Sequence, residues 1–127
     1  MVKKFINTSD APAPIGPYNQ AVLLDNLLFI SGQICIDPAT GELKNGHIKE
    51  ETEQVMKNLQ AILLEAGMGF SNVVKTTIFI TDMNQFSEIN EVYGKFFASE
   101  FPARETVQVS ALPKFVHVEI SMIAAKS

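Results

Sequence analysis

The stretch Phe101-Pro102-Ala103-Arg104-Glu105-Thr106-Val107-Gln108-Val109 marks a junction between two predicted elements of the fold. Pro102 restricts its own φ angle and biases Phe101 towards an extended conformation, so a preceding helix must end by about Glu100. After the proline, polar and apolar residues alternate with the two-residue period of a half-buried strand. The stretch therefore predicts the end of a helix, a short connection and a strand.

Arg104 is the only arginine of the chain, and lysine supplies the other formal positive charges. A guanidinium holds a planar carboxylate through two parallel hydrogen bonds, which an ammonium group cannot do. Arg104 shares one strand face with Thr106 and Gln108, while Val107 and Val109 form the other. Two interpretations stay open at this point: a solvated surface arginine, which is the commoner case, and an arginine that binds an anion.

The composition predicts one globular domain spanning residues 1–127. With 127 residues, 46% of them hydrophobic and 19% charged, the chain is long and apolar enough to bury a core of its own. The net charge of −4 and the lack of any lysine cluster larger than Lys3-Lys4 argue against nucleic acid as a main partner.

The cysteine count and the apolar runs predict a cytoplasmic protein without membrane contact. Cys35 is the only cysteine, which excludes an intrachain disulfide and a thiolate metal cluster, and we expect it to pack as a small apolar residue. Residues 1–7 lack the apolar run and cleavage site of a signal peptide, and the longest purely apolar run, 27–30, is too short to cross a membrane.

The first third of the chain predicts an opening strand and a hairpin. Two apolar runs within 21–30 flank Asp25-Asn26, which suits the positive φ values of a tight turn. Gly32 interrupts the second run and indicates a bulge or a close approach of other atoms to the backbone. The prolines of 10–17 predict a stiff loop, which serves either as a connector or as a holder for Tyr18.

The middle of the chain predicts two helices around a strand. Residues 49–66 are amphipathic at helical spacing, with Glu51 among the side chains of the polar face. Residues 72–81 are rich in β-branched residues, so they predict a strand reached by a parallel, right-handed crossover. Residues 82–84 cap a second helix, and Asn90 lies beside its apolar face, where it is either solvated or directed into a cleft.

The C-terminal part predicts the last strand, over 116–124. Its apolar residues alternate with His117, Glu119 and Ser121, so Glu119 lies on a polar face that would complement the one with Arg104. Two helices covering one face of about six strands predict an α+β fold.

The sequence excludes the common cofactor enzymes. It holds two histidines, His47 and His117, without a zinc-binding spacing, and no phosphate-binding loop or nucleophile elbow. One arginine, two tyrosines, several hydroxyls and a strand glutamate remain. Such groups suit the binding of a small carboxylate and the orientation of a water molecule.

Five segments together resemble the Rid family, also called YjgF-like. They are Ala13-Pro14-Ile15-Gly16-Pro17-Tyr18-Asn19-Gln20-Ala21, Ile30-Ser31-Gly32-Gln33, Asp37-Pro38-Ala39-Thr40-Gly41-Glu42, the Pro102–Val109 segment and Val118-Glu119-Ile120. The retained Arg104 points to the RidA branch, the enamine/imine deaminases. The resemblance implies a chorismate-mutase-like fold and a homotrimer with three inter-subunit clefts, the sheets lining the inside of a barrel.

The resemblance also implies a role for each site residue. Arg104 would hold the substrate carboxylate, and Glu119 would position the hydrolytic water. Thr106 would contribute backbone groups, although many relatives carry a cysteine at this position. The residues expected to line the cleft are Tyr18, Ser31, Gly32 and Asn90.

The implied reaction is hydrolysis of a 2-imino acid, such as 2-iminobutanoate or 2-iminopropanoate, to the 2-keto acid and ammonia, with no cofactor. The implied partners are thus small 2-imino and 2-keto carboxylic acids. Two other classes stay open: a binding module that senses a 2-keto acid without turnover, and a chaperone-like or RNA-directed protein, the latter disfavoured by the acidic charge.

Overall fold

A computed structural model describes residues 1–127 as one six-stranded sheet with two α-helices. The predicted mixed sheet of about six strands, with two helices, is confirmed. The strands are β1 (Lys3–Ile6), β2 (Ala21–Leu24), β3 (Leu27–Gln33), β4 (Val73–Ile80), β5 (Ala103–Gln108) and β6 (Val118–Ala125), and the helices are α1 (Ile48–Glu65) and α2 (Phe86–Gly94).

The strands lie in the order β1-β2-β3-β6-β4-β5, so the last strand of the chain is inserted into the middle of the sheet. Neighbours pair antiparallel except β4 and β5, which are parallel and joined through α2. The connection through α1 joins β3 and β4, which run in the same direction but have β6 between them. The predicted crossover thus exists without direct pairing of its two strands.

The predicted hairpin and bulge are both present. Asp25 adopts a φ of 54° in the turn between β2 and β3, where a short polar residue tolerates the left-handed region. The pairing of β3 with β6 shifts between Ile30 and Gln33, which places Ser31 and Gly32 in a bulge.

Both helices cover one face of the sheet and enclose the core. Val55, Leu59 and Ile62 of α1 are fully buried, as are Ile78 of β4 and Ile120 of β6. The apolar face predicted for α1 is therefore confirmed. Cys35 is also fully buried, and burial raises the pKa of its thiol to about 11, so it packs as an unreactive apolar residue.

The prediction that Glu51 faces solvent was wrong, because its side chain is fully buried beneath the start of β6. Its Oε2 accepts hydrogen bonds from the backbone N–H groups of His117 (2.6 Å) and Val118 (2.9 Å). Oε1 lies 2.8 Å from Nδ1 of His117. A buried carboxylate is tolerated here because three donors replace its hydration.

The other face of the sheet is left open and carries an apolar row. Phe5, Val22, Phe29 and Ile123 are consecutive cross-strand partners on this face. Phe5 is 59% exposed and Phe29 is 42% exposed. Neither helix is long and apolar enough to span a membrane.

Replacing Glu51 with alanine should destabilise the protein by about 2–4 kcal/mol, since the backbone N–H groups of His117 and Val118 would lose their acceptor. Denaturant unfolding at fixed protein concentration measures this change. Glu51→Gln, which keeps one acceptor oxygen, should lose less. Glu53→Ala, on the exposed side of the same helix, is the control. Equal midpoints for the Glu51 and Glu53 variants would show that the buried carboxylate does not anchor β6.

Candidate functional site

A cavity of about 380 Å³ lies where the proline-rich loop, the β3 bulge and the start of β6 meet. Four of the seven predicted site residues line this cavity: three residues expected in the cleft lining and the glutamate expected to position water. We call this group the glutamate site; its members are Tyr18, Ser31, Gly32 and Glu119.

Glu119 is held against the backbone of Gly32. A Cβ atom added to Gly32 would stand 2.8 Å from Cδ and 3.0 Å from Cγ of Glu119, so a side chain at this position would displace the carboxyl. This is the close approach that the glycine in the strand pattern indicated. Desolvation by burial raises the pKa of Glu119, which is the expected effect of a largely apolar wall on a carboxyl group.

The proline-rich loop is fixed by a residue that sequence reasoning missed. Gln20 is only 1% exposed. Its Nε2 donates to the carbonyls of Thr8 (3.0 Å), Ala11 (3.2 Å) and Pro12 (2.8 Å), while its Oε1 accepts from the Thr8 N–H at 2.7 Å. One side chain thus replaces the backbone pairing that the prolines prevent. The only available signal was its place within the family motif.

Tyr18 and Ser31 border the cavity, and their hydroxyl groups make different hydrogen bonds. The Tyr18 hydroxyl accepts from the Ile15 N–H at 3.3 Å, and the residue remains 46% exposed. The Ser31 hydroxyl donates to the Asn19 carbonyl at 2.7 Å, so its proton is engaged while its lone pairs remain free. The loop therefore holds Tyr18 at the rim, which agrees with the second interpretation of its stiffness.

Arg104 lies in a second concavity of about 340 Å³, between β5 and α2. Its Nη1 donates to Oδ1 of Asn90 at 2.6 Å. Its Cζ lies 5.5 Å from the ring centroid of Phe86 and 5.2 Å from that of Tyr93. We call the group of Asn90, Tyr93 and Arg104 the arginine site; it is not the solvated surface arginine of the first interpretation.

Thr106 follows Arg104 on the same face of β5. Its Oγ1 is buried and has no hydrogen-bond partner within the chain. Such atoms are rare in folded proteins, and they mark positions where a partner comes from elsewhere or strain is tolerated.

The two sites lie on opposite faces of the sheet, so the predicted complementary faces do not meet within one chain. Arg104 pairs with Thr76, which is fully buried on the helix side. Glu119 pairs with Phe79, which pairs in turn with Val107 on the open side. Directly paired residues share a face, and β4 separates β5 from β6 by roughly 10 Å. One chain cannot bring both groups to one small molecule.

The model of one protein family matches almost the whole chain. It is described as endoribonuclease L-PSP and matches residues 8–126. Among curated relatives, the human 2-iminobutanoate/2-iminopropanoate deaminase is 48% identical over 124 residues, covering 98% of this chain and 90% of its own. A RutC family protein of Pyrococcus abyssi is 50% identical over 126 residues, covering 99% of both chains.

Solved structures of relatives share the fold. A protein of the conserved Rid family, YyfA of Yersinia pestis, superposes with a TM-score of 0.96 at 49% identity, over 98% of this chain and 100% of that one. TdcF of E. coli, solved with bound serine, superposes with a TM-score of 0.94 at 43% identity, over 98% and 99%. The chain therefore belongs to the endoribonuclease L-PSP family, which is the Rid (YjgF-like) family that its motifs indicated.

Proposed function

We propose that this protein is a cofactor-independent deaminase that hydrolyses 2-imino acids to 2-keto acids and ammonia. The observation that carries the proposal is the pair of sites, one able to hold a carboxylate and one able to activate water. Full-length relatives that are 48–51% identical are named 2-iminobutanoate/2-iminopropanoate deaminase, in agreement with this enzyme class.

Arg104 holds the substrate carboxylate. Asn90 occupies one N–H of its guanidinium, and a guanidinium has five N–H donors, so a planar pair of donors remains for an incoming carboxylate. Serine, the ligand of the relative TdcF, carries a carboxylate of the same kind. Thr106 offers a further polar atom on the same face.

Glu119 orients and activates the water. Its carboxylate takes a proton from water as the oxygen bonds to the carbon of the protonated imine, and the C=N electron pair moves to nitrogen to give a neutral carbinolamine. The carboxylic acid then returns that proton to the nitrogen. The C–N bond breaks as the hydroxyl oxygen forms the C=O bond, ammonia leaves, and the Glu119 carboxylate accepts the hydroxyl proton and releases it to solvent. The raised pKa of Glu119 brings its basicity closer to neutral pH, which favours these transfers.

The complete site lies between two copies of the chain. Arg104 and Glu119 face opposite sides of one sheet, so they reach one substrate only if each comes from a different subunit. The open apolar face, with Phe5 and Phe29 exposed, is a surface that association would cover. A homotrimer with three such clefts, which the family resemblance implies, satisfies both conditions.

The competing functions make different demands on the chain. The name of the family model includes a ribonuclease activity, but a net charge of −4 with a single arginine does not suit binding of a polyanion. A sensor of 2-keto acids would need Arg104 and would not need water activation.

A coupled assay separates these functions. A threonine dehydratase generates the imine, and the rate of 2-oxobutanoate release is followed with and without this protein. Acceleration in proportion to protein concentration is expected. No acceleration, together with binding of 2-oxobutanoate, would establish a sensor, and cleavage of RNA without either would establish a ribonuclease.

Glu119→Gln should lower kcat by roughly 10²- to 10⁴-fold while leaving carboxylate binding largely intact, because the amide keeps the shape and loses the base. In the unmodified protein, kcat/KM should rise with pH through a pKa above the ordinary range of glutamate. The Gln variant should lack this acid limb. A pH profile of both proteins checks the assignment.

Thermal stability is the control measurement for the Glu119→Gln variant. Since burial raises the pKa of Glu119, the folded state binds the proton more tightly than the unfolded state, and this contribution is lost as pH rises through the folded pKa. The Gln variant should therefore be at least as stable as the parent at neutral pH. A lower melting temperature would make Glu119 a structural residue.

Arg104→Lys keeps the charge and removes the planar fork, so it should cost roughly 2–4 kcal/mol in transition-state stabilisation, or about 30- to 1,000-fold in kcat/KM. Steady-state kinetics and a melting curve on the same preparation measure the two effects separately. Near-native turnover would show that Arg104 does not contact the substrate. A loss of stability that parallels the loss of activity would show that Arg104 stabilises the fold.

Mixing these two variants tests the shared cleft directly. Each variant alone is nearly inactive, but subunits of one type retain Arg104 and those of the other retain Glu119. After unfolding and refolding an equal mixture, about a quarter of the interfaces should carry both native residues and recover activity. Light scattering should give a trimer mass. A mixture no more active than its components would place both residues of the working site in one chain.

A further inference from the structure

We propose that one face of α2 holds the Arg104 guanidinium in a single orientation before any carboxylate binds. Three positioning residues form that face: Phe86, Asn90 and Tyr93. The inference rests on the proposed function, in which Arg104 receives the carboxylate, and it adds that α2 sets the affinity and the angle of that contact.

The spacing of the three residues places them in one line. Positions 86, 90 and 93 are four and three residues apart, so their side chains project from the same side of the helix. Phe86 and Tyr93 put their rings within 5.5 Å of the guanidinium carbon, inside the range of a cation–π contact. The guanidinium is thus contacted by two aromatic rings and one amide.

Asn90 acts directly on the arginine. Its Oδ1 receives the 2.6 Å hydrogen bond from Nη1. The bond also fixes rotation of the guanidinium plane, because one of its five donors is directed at the helix. This refines the expectation from the family resemblance, which made Asn90 a residue of the cleft lining.

Tyr93 is itself anchored within the core. Its hydroxyl donates to Oγ1 of the fully buried Thr76 at 3.1 Å, and Thr76 is the β4 partner of Arg104. Burial raises the pKa of Tyr93, so the hydroxyl stays protonated at neutral pH. Because its hydroxyl proton is directed at Thr76 in the core, Tyr93 serves as a fixed ring beneath the guanidinium.

Restraint before binding has a direct effect on affinity. An arginine side chain has many rotamers, and a carboxylate that binds a mobile arginine must first restrict them. Contacts that have already restricted them remove this cost from the binding step. The predicted consequence is that loss of an aromatic ring weakens carboxylate binding although the ring does not contact the carboxylate.

The test uses the fact that the chain has a single arginine. Its Nε–H gives one side-chain signal in a ¹⁵N NMR spectrum, and the two rings should shift that proton and the adjacent Cδ protons upfield. Phe86→Leu should move these signals towards random-coil values and weaken binding of 2-oxobutanoate by roughly 3- to 10-fold in calorimetry. Phe96→Leu, a half-buried phenylalanine that packs on Phe70 instead, is the matched control and should change neither.

A double-variant cycle separates positioning from general packing. If Phe86 acts through the Arg104 guanidinium, Phe86→Leu should have little further effect on binding in an Arg104→Lys background. Equal losses in both backgrounds, or unchanged Arg104 signals in Phe86→Leu, would overturn the inference. Should Phe86→Leu not fold, Asn90→Ala provides the same readouts from a half-buried position.

The outcome is independent of turnover. The NMR signals report the position of Arg104 whether or not the protein hydrolyses imines, so failure of the proposed reaction appears in the coupled assay alone. Shifted signals in the parent, with no imine hydrolysis, would retain the inference and reject the proposed function. Random-coil signals in a parent protein that hydrolyses imines would reject the inference and retain the proposed function.

Discussion

A β-sheet presents alternate side chains to opposite faces, and this constraint governs where every functional group of the chain lies. Thr76 and Phe79 of β4 illustrate it: the partner of the first is Arg104, beneath α2, and a partner of the second is Glu119, on the open face. Thr76 and Phe79 are an odd number of residues apart, so they face opposite sides of the sheet. The sheet itself therefore separates the two groups of the proposed chemistry, and the proposed association of subunits would bring them together.

Three buried polar side chains hold the walls of the cavity at the glutamate site. Gln20 fixes the proline-rich loop, and Glu51 fixes the start of β6. Asn58 of α1 donates to the carbonyls of Ile34 and Ile36, both at 3.0 Å. Each of the three bonds to backbone groups that secondary structure leaves unpaired. A buried polar group is costly unless its partners are in place, so these bonds allow few alternative positions of the walls.

Two polar groups within the sites lack the hydrogen-bond partners that the supporting side chains have. The Glu119 carboxyl is desolvated without a compensating hydrogen bond in the chain, and the Thr106 hydroxyl has no partner. Hydration or a hydrogen-bond partner would lower the free energy of both groups, so each group as it stands reduces the stability of the isolated chain. Functional groups often carry such a cost, and here the supporting network of Gln20, Glu51 and Asn58 offsets it.

Local patterns in the sequence determined much of this protein. The turn at Asp25, the amphipathic α1, the bulge at Gly32 and the alternation of β6 depend on neighbouring residues, and the structure has each of them. The family motifs contain Arg104 and the four residues of the glutamate site, whereas Asn90 and Tyr93 of the arginine site lie outside them. These features follow from periodicity and turn chemistry, which a single chain displays without reference to distant segments.

Only the tertiary structure decided how these pieces combine. The insertion of β6 between β3 and β4 pairs segments that are far apart along the chain, and no local pattern specifies that order. Glu51 occupies a position that a helical pattern assigns to solvent, yet it is buried because backbone N–H groups 66 and 67 residues away need an acceptor. The division of Arg104 and Glu119 between two faces has the same origin, since strand order and register, which arise from non-local pairing, decide which polar faces meet.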